Sequence, residues 1–177
     1  MSIARHYKIL PQWVAPLKLA SQGVSLSGTV PLQSMPRLSE SLASDGAAAE
    51  AALQFLRDES GYRVVIGEIS FEADLTCQRC MQALRHSLVA DVAWILTGDI
   101  EQAKGLPKRY EPWILAESES DSDLYGIIEE ELLLALPIVA FHDIESCGAQ
   151  QHYSTGEHEP VKKAGPFDVL HQLKLKK

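Results

Sequence analysis

The chain has 177 residues, of which 46% are hydrophobic, and its 24 acidic and 16 basic residues give a formal net charge of −8. This length is sufficient for one hydrophobic core, and the negative charge argues against a protein that coats nucleic acid by neutralising phosphates. The longest apolar stretch, Leu132 to Phe141, contains Pro137 and covers about half a bilayer span. No secretory pattern opens the chain, so we expect a cytoplasmic protein. The negative charge favours a basic partner, and we expect no membrane and no small-molecule substrate.

The first third of the chain alternates short predicted elements. The first 20 residues, which contain Pro11 and Pro16, are predicted to form an extended arm. Val24 to Val30 alternates apolar and polar residues, which is typical of a half-buried strand. Pro36 is suited to the first turn of a short helix at about 35–43, and residues 48–58 favour a second strand.

A β-hairpin is the strongest structural signal. Apolar residues occupy even positions up to Ile66 and odd positions from Ile69, so a β-bulge at 67–68 is predicted to restore the buried face. The return strand begins near Leu84 and keeps one phase to Leu96. At the tip of this hairpin lies the sequence Cys77-Gln78-Arg79-Cys80.

Three interpretations of the cysteine pair stay open from the residues: a shared metal ion, a redox couple, or a simple turn. Two thiolates supply half of a tetrahedral zinc shell, and His142 with Cys147 can supply the other half. Redox pairs of the thioredoxin kind open a helix within a βαβ unit, whereas this pair sits in a hairpin. No cofactor is expected in the simplest interpretation, with zinc as the alternative.

A helix is predicted at about 123–136, where Asp121 to Asp123 offer cap oxygens and Leu124, Ile128 and Leu132 recur at helical spacing. Glu129 and Glu130 are expected on the opposite, solvated side. Pro137 ends the helix, and residues 138–141 are predicted to add a short buried strand or extended segment. A mobile segment and a short basic C-terminal helix complete the chain.

The predicted fold class is α+β: an antiparallel β meander or partly closed sheet, with a long acidic helix and short flanking helices. The predicted divisions are an arm at 1–20, one α+β domain at 21–143, and a C-terminal part at 144–177. The candidate partner-binding residues are charged groups of the predicted acidic helix and of the basic C-terminal tail: Glu129, Glu130, Glu131, Lys174, Lys176 and Lys177. The competing interpretation is that both sets are solvated faces that keep the protein soluble. Neither phosphate-binding glycine spacing occurs, and no motif demands catalysis, so no enzyme is predicted.

Five motifs follow one another in order: Leu75-Thr76-Cys77-Gln78-Arg79-Cys80, Leu106-Pro107 with Tyr110-Glu111-Pro112, the run Glu130 to Pro137, His142-Asp143, and Pro166-Phe167-Asp168-Val169-Leu170 with Leu173-Lys174. In this order the chain resembles the large ribosomal RNA subunit accumulation protein family, the bacterial YceD proteins. The resemblance implies a cytosolic, non-catalytic factor needed for accumulation of 23S rRNA. Its implied partner is a large-subunit ribosomal protein, the rRNA or a pre-ribosomal particle.

Two functional hypotheses follow. The first is a non-catalytic assembly factor whose acidic surface receives a cationic protein and whose basic tail contacts RNA. The alternative is a metal-dependent RNA-binding or rRNA-processing protein organised by Cys77 and Cys80.

Overall fold

The computed structural model describes residues 3–44, 48–115 and 121–148. Its helices and strands, in chain order, are β1 Ile3–Ile9, β2 Trp13–Val14, α1 Pro16–Gln22, β3 Val24–Val30, a 3₁₀ turn Leu32–Ser34, α2 Pro36–Glu40, β4 Ala49–Arg57, β5 Arg63–Thr76, β6 Ala83–Thr97, α3 Ile100–Ala103, β7 Glu111–Ile114, β8 Ser122–Asp123 and α4 Leu124–Ala135.

One six-stranded sheet, in the order β1-β3-β4-β5-β6-β7, organises these elements, and β2 pairs with β8 in a two-stranded ribbon. Strands β3 to β6 pair antiparallel with their sequence neighbours. Both edge strands are parallel to their partners, β1 to β3 and β7 to β6. A parallel partner requires a crossover, which α1 supplies between β1 and β3. The mixed α and β content is confirmed, but the sheet is not a purely antiparallel meander.

The β5–β6 hairpin has no register shift over thirteen consecutive residue pairs, from Val64 opposite Ile95 to Thr76 opposite Ala83. The predicted bulge at 67–68 is therefore wrong. The buried odd-numbered row continues upstream to Val65, and Gly67 occupies one position in it without a side chain. Ile66 faces outward and is 37% exposed, so the even-numbered apolar residues did not mark the buried face.

The core lies on one face of the sheet. Helices α1, α2 and α4 cover this face and bury large side chains against it, among them Leu38, Ile128 and Leu132. Trp94 of β6 is 1% exposed and meets Trp113 of β7 edge to face, with ring centroids 5.5 Å apart. The opposite face presents its alternate residues on β4 to β6 largely to solvent.

Several element predictions are confirmed: the strands at 24–30 and 48–58, the short helix after Pro36, the hairpin, and the helix that Asp123 caps by accepting a hydrogen bond from the Tyr125 N–H. The first 20 residues, predicted as an extended arm, contain an edge strand and most of α1. Of the two alternatives predicted for residues 138–141, a short buried strand or an extended segment, the buried strand is wrong, since no strand forms there and Ile138 is 97% exposed. The predicted C-terminal helix lies outside the described residues. Among the described residues, no helix has the length and apolarity to cross a bilayer.

Strands β4 and β5 approach each other closely at Gly67. A Cβ added there would lie 2.0 Å from the Ala52 carbonyl oxygen, so the strands would have to separate. We expect Gly67→Ala to lower the free energy of unfolding by about 1–3 kcal/mol, measured by urea denaturation. Gly98→Ala is the matched control, because an added Cβ there meets nothing within 4 Å. Equal stability of the two variants would contradict the observed strand approach.

Candidate functional site

Cys77 and Cys80 lie in the tight turn between β5 and β6. The Cys77 N–H donates to the Gln82 carbonyl at 2.9 Å, and the Met81 N–H donates to the Cys77 carbonyl at 2.8 Å. Met81 adopts a left-handed backbone conformation, with φ of 60°, and its side chain is 73% exposed. The turn therefore brings the two cysteine sulfurs close together, while the Met81 side chain points to solvent.

His142 and Cys147 arrive from the segment that follows α4. The Gln78 N–H donates to the Ala140 carbonyl at 2.9 Å, which ties this segment to the hairpin turn. A second turn, closed by the Cys147 N–H on the Asp143 carbonyl at 2.9 Å, brings the last cysteine back toward the hairpin. We call the resulting group the hairpin-tip cluster; its members are Cys77, Cys80, His142 and Cys147, and their donor atoms all lie within 4.8 Å of one another.

Hydrogen bonds orient the members of this cluster. The two ring nitrogens of His142 differ: Nδ1 lies 3.3 Å from the Cys80 Sγ, and Nε2 lies 3.1 Å from the Ala83 carbonyl oxygen. Because a carbonyl can only accept, Nε2 donates its N–H to Ala83, and Nδ1 is the ring nitrogen that faces the sulfur. The His142 N–H donates in turn to the Cys77 Sγ at 3.4 Å.

The pKa values of the two hairpin thiols are shifted in opposite directions. Burial opposes ionisation of Cys77, but hydrogen bonds from the backbone N–H groups of Cys80, His142 and Arg79 outweigh it and bring its pKa to about 5. For Cys80, the Gln82 N–H favours the thiolate, yet burial and the neighbouring Cys77 and Cys147 sulfurs raise the pKa. All three cysteines are free thiols. Three sulfurs and one imidazole nitrogen at this separation can share a metal ion. The sulfurs alone can take part in thiol–disulfide exchange.

The three glutamates of α4 occupy different environments, which corrects the predicted solvated position of Glu129. Glu129 is 6% exposed, and its carboxylate accepts a hydrogen bond from the Leu38 N–H at 3.0 Å. Glu131 is half-buried and accepts from the Trp94 Nε1 at 2.9 Å. Glu130 alone is exposed, and it lies 3.6 Å from the Arg37 guanidinium. Two of the three carboxylates thus face their own protein, although a binding role for them stays a prediction.

Glu129 should therefore matter for stability. Its removal would leave the Leu38 N–H buried without an acceptor, so we expect Glu129→Leu to lower the free energy of unfolding by about 1–3 kcal/mol. Glu129→Gln retains an acceptor oxygen and should lose less. The exposed neighbour gives the control, since Glu130→Gln should change stability by less than about 0.5 kcal/mol. Urea denaturation measures all three; equal effects at 129 and 130 would contradict the buried position.

Glu131 should make stability depend on pH. Burial raises the pKa of its carboxyl, the Trp94 N–H opposes this change, and Glu111 nearby adds to it. A carboxyl whose pKa is raised by folding stabilises the fold at acid pH, and that contribution is lost as pH rises through the raised pKa. Glu131→Gln keeps an acceptor for Trp94 without a charge, so it should gain up to about 1 kcal/mol over the parent at neutral pH. The gain should disappear near pH 4, measured by urea denaturation; a gain that is the same at both pH values would contradict this assignment.

An acidic surface that the sequence analysis did not single out lies on the open face of the sheet. The outward carboxylates of β4 to β6 form this acidic sheet face, which comprises Glu50, Glu68, Glu72, Asp74 and Asp91. Glu68 lies directly opposite Asp91, and Glu50 on the neighbouring strand β4 is two residues from Ala52, the residue opposite Glu68. The signal was present in the strand alternation, because Glu68, Glu72 and Asp74 fall on the polar row of β5. Lys174, Lys176 and Lys177 lie outside the described residues.

Comparison with known proteins places this mixed α/β chain, with its cysteine-tipped hairpin, in one family. The family model described as "Large ribosomal RNA subunit accumulation protein YceD" matches residues 65–174. A Haemophilus influenzae protein with the same description is 34% identical over 170 residues, which cover 94% of this chain and 97% of that relative. The chain belongs to the YceD family. No solved structure matches it.

Proposed function

We propose that this chain is a non-catalytic factor in biogenesis of the large ribosomal subunit and that it supports accumulation of 23S rRNA by binding a component of the nascent particle. Membership of the YceD family is the observation that carries this proposal, since the family description and the Haemophilus relative both name large ribosomal RNA subunit accumulation. Such a factor acts in the cytoplasm. A metal-dependent rRNA-processing activity is not favoured, because neither description names one.

The acidic sheet face supports a basic protein as the direct partner. Glu50, Glu68 and Asp91 are exposed, and none of them takes part in an ion pair within residues 3–44, 48–115 and 121–148. Such a surface repels phosphate and attracts lysine and arginine side chains. Val89, which is 57% exposed on the same face, adds an apolar contact among the carboxylates. A ribosomal protein rich in basic residues has the chemistry that fits this surface.

The like-charged pair at the centre of this face has a cost. Carboxylates directly opposite each other on neighbouring strands destabilise a sheet, and Glu68 and Asp91 form such a pair. Functional sites often lower stability, and an exposed carboxylate pair on a rigid strand surface suits a cationic partner. The terminal lysines, in contrast, remain our candidates for contact with RNA.

The decisive variant neutralises this pair without a change of shape. We expect Glu68→Gln with Asp91→Asn to raise the free energy of unfolding by up to about 1 kcal/mol, because the repulsion is removed. The same variant should bind large-subunit precursor particles more weakly. Sedimentation of the tagged protein through sucrose gradients at low salt measures binding, and 23S rRNA levels in a strain depending on this protein measure function. Binding by the parent should weaken with added salt, since exposed charges are screened over about 8 Å at physiological ionic strength.

Glu101→Gln is the matched control, since it removes one exposed carboxylate from α3, outside the acidic sheet face. It should sediment with the particles as the parent does. If the double variant retains parental sedimentation and parental 23S rRNA levels, the acidic sheet face is not the binding surface. If the parent itself never associates with particles, ribosomal proteins or rRNA at low salt, the assembly function is wrong.

A further inference from the structure

The hairpin-tip cluster has the donor set of a structural metal site. It brings together three sulfurs and one imidazole nitrogen from two segments about sixty residues apart in the chain. Soft thiolates with one imidazole favour zinc over magnesium or calcium, which prefer oxygen. A turn or a redox pair needs only the two hairpin cysteines. Convergence of a third cysteine and a histidine on them is the feature that those interpretations leave unexplained.

The distances match a tetrahedron around one ion. With zinc–sulfur bonds near 2.3 Å and zinc–nitrogen bonds near 2.0–2.1 Å, ligand atoms lie roughly 3.5–3.8 Å from one another. In this protein the four donor atoms all lie within 4.8 Å of one another, and the Cys80 Sγ lies 3.3 Å from the His142 Nδ1. Shifts of a few tenths of an ångström up to about 1 Å therefore suffice to form the shell. We propose that the hairpin-tip cluster binds one Zn²⁺ as a Cys₃His structural site.

The surroundings of the donor atoms are arranged as they are around metal ligands. His142 donates Nε2–H to the Ala83 carbonyl, which leaves Nδ1 as the ligand atom. Metal-bound histidines commonly use this arrangement, in which a carbonyl or carboxylate fixes the tautomer. Backbone N–H groups donate to the sulfurs of both hairpin cysteines: those of Arg79, Cys80 and His142 to Cys77, and that of Gln82 to Cys80. These hydrogen bonds fix the positions of the two sulfurs.

The site has a structural task that the hydrophobic core does not perform. After Pro137 the chain leaves the core: within the described residues 138–148 Ala140 alone is buried, whereas Ile138 is 97% exposed and Ile144 is 69% exposed. A segment with so little buried apolar surface needs another attachment to the sheet. The ion supplies it by joining the β5–β6 turn to residues 142–147. This task is independent of the proposed partner surface, which lies on the strands.

Metal content of the full-length protein tests this proposal. Protein purified under reducing conditions with zinc should contain one zinc per chain by elemental analysis. Replacement of zinc by cobalt should give thiolate charge-transfer and tetrahedral d–d absorption, a readout that needs no variant. Removal of the metal by a chelator should speed amide hydrogen exchange in residues 76–84 and 137–147 by roughly tenfold or more, with strands β3 and β4 unchanged.

Variants identify the ligands. Cys147→Ser and His142→Gln should each weaken zinc binding by more than the roughly 10- to 100-fold that outer-shell partners contribute, with the sheet intact by circular dichroism. His86→Gln is the matched control, because this histidine lies on β6 outside the cluster, and it should bind zinc as the parent does.

Three outcomes would overturn the proposal. The first is a parent protein that takes up neither zinc nor cobalt after anaerobic incubation. The second is full zinc content in both ligand variants. The third is a metal-free protein with a Cys77–Cys80 disulfide, which would assign the cluster to redox chemistry. None of these outcomes depends on particle binding, so failure of the zinc site and failure of the proposed function are distinguishable.

Discussion

Thirteen consecutive residue pairs join β5 to β6, and the rest of the structure is attached to this ladder. Strand alternation gives the hairpin two chemically different faces. Its inner row, with Ile69, Phe71 and Trp94, meets helices α1, α2 and α4 in the core. Its outer row carries carboxylates, and its turn carries two cysteines. Because one register defines all three features, a slip of one residue would bury the carboxylates and expose the core.

The glutamates of α4 show how charge is divided between structure and surface. Glu129 and Glu131 are used inside the protein, where they connect α4 to α2 through the Leu38 N–H and to β6 through the Trp94 indole. Such bonds fix the helix on the sheet, and they leave only Glu130 free of buried contacts. Within the part of the chain that the structure describes, the acidic sheet face is the surface that we propose for a cationic partner, and its carboxylates are held by a rigid ladder.

The sequence contained enough to predict elements whose signals are local. Alternation identified the hairpin, the Asp123 oxygen identified the start of α4, and donor type selected all four members of the hairpin-tip cluster. It did not reveal the parallel edge strands, since the pairing of β1 with β3 and of β7 with β6 depends on contacts between separate segments. Helical spacing placed Glu129 on the solvated side. Local spacing carries no information about its partner, the Leu38 N–H, which is 91 residues away in the chain. Apolar residues at even positions before Gly67 suggested a bulge. Of these, Val64 is buried although it lies on the outer row, whereas Tyr62 and Ile66 are each 37% exposed.

We propose above that the outer face of the β5–β6 hairpin contacts a basic protein of the nascent large subunit. Site-specific photocrosslinking tests it most directly, with the photoreactive residue at Val89 on the acidic sheet face and, as control, at exposed Leu17 on α1, which covers the opposite face. We expect Val89 to crosslink to a large-subunit ribosomal protein in cells and Leu17 not to do so. Crosslinks to that protein from Leu17 alone, or to rRNA alone from Val89, would contradict it.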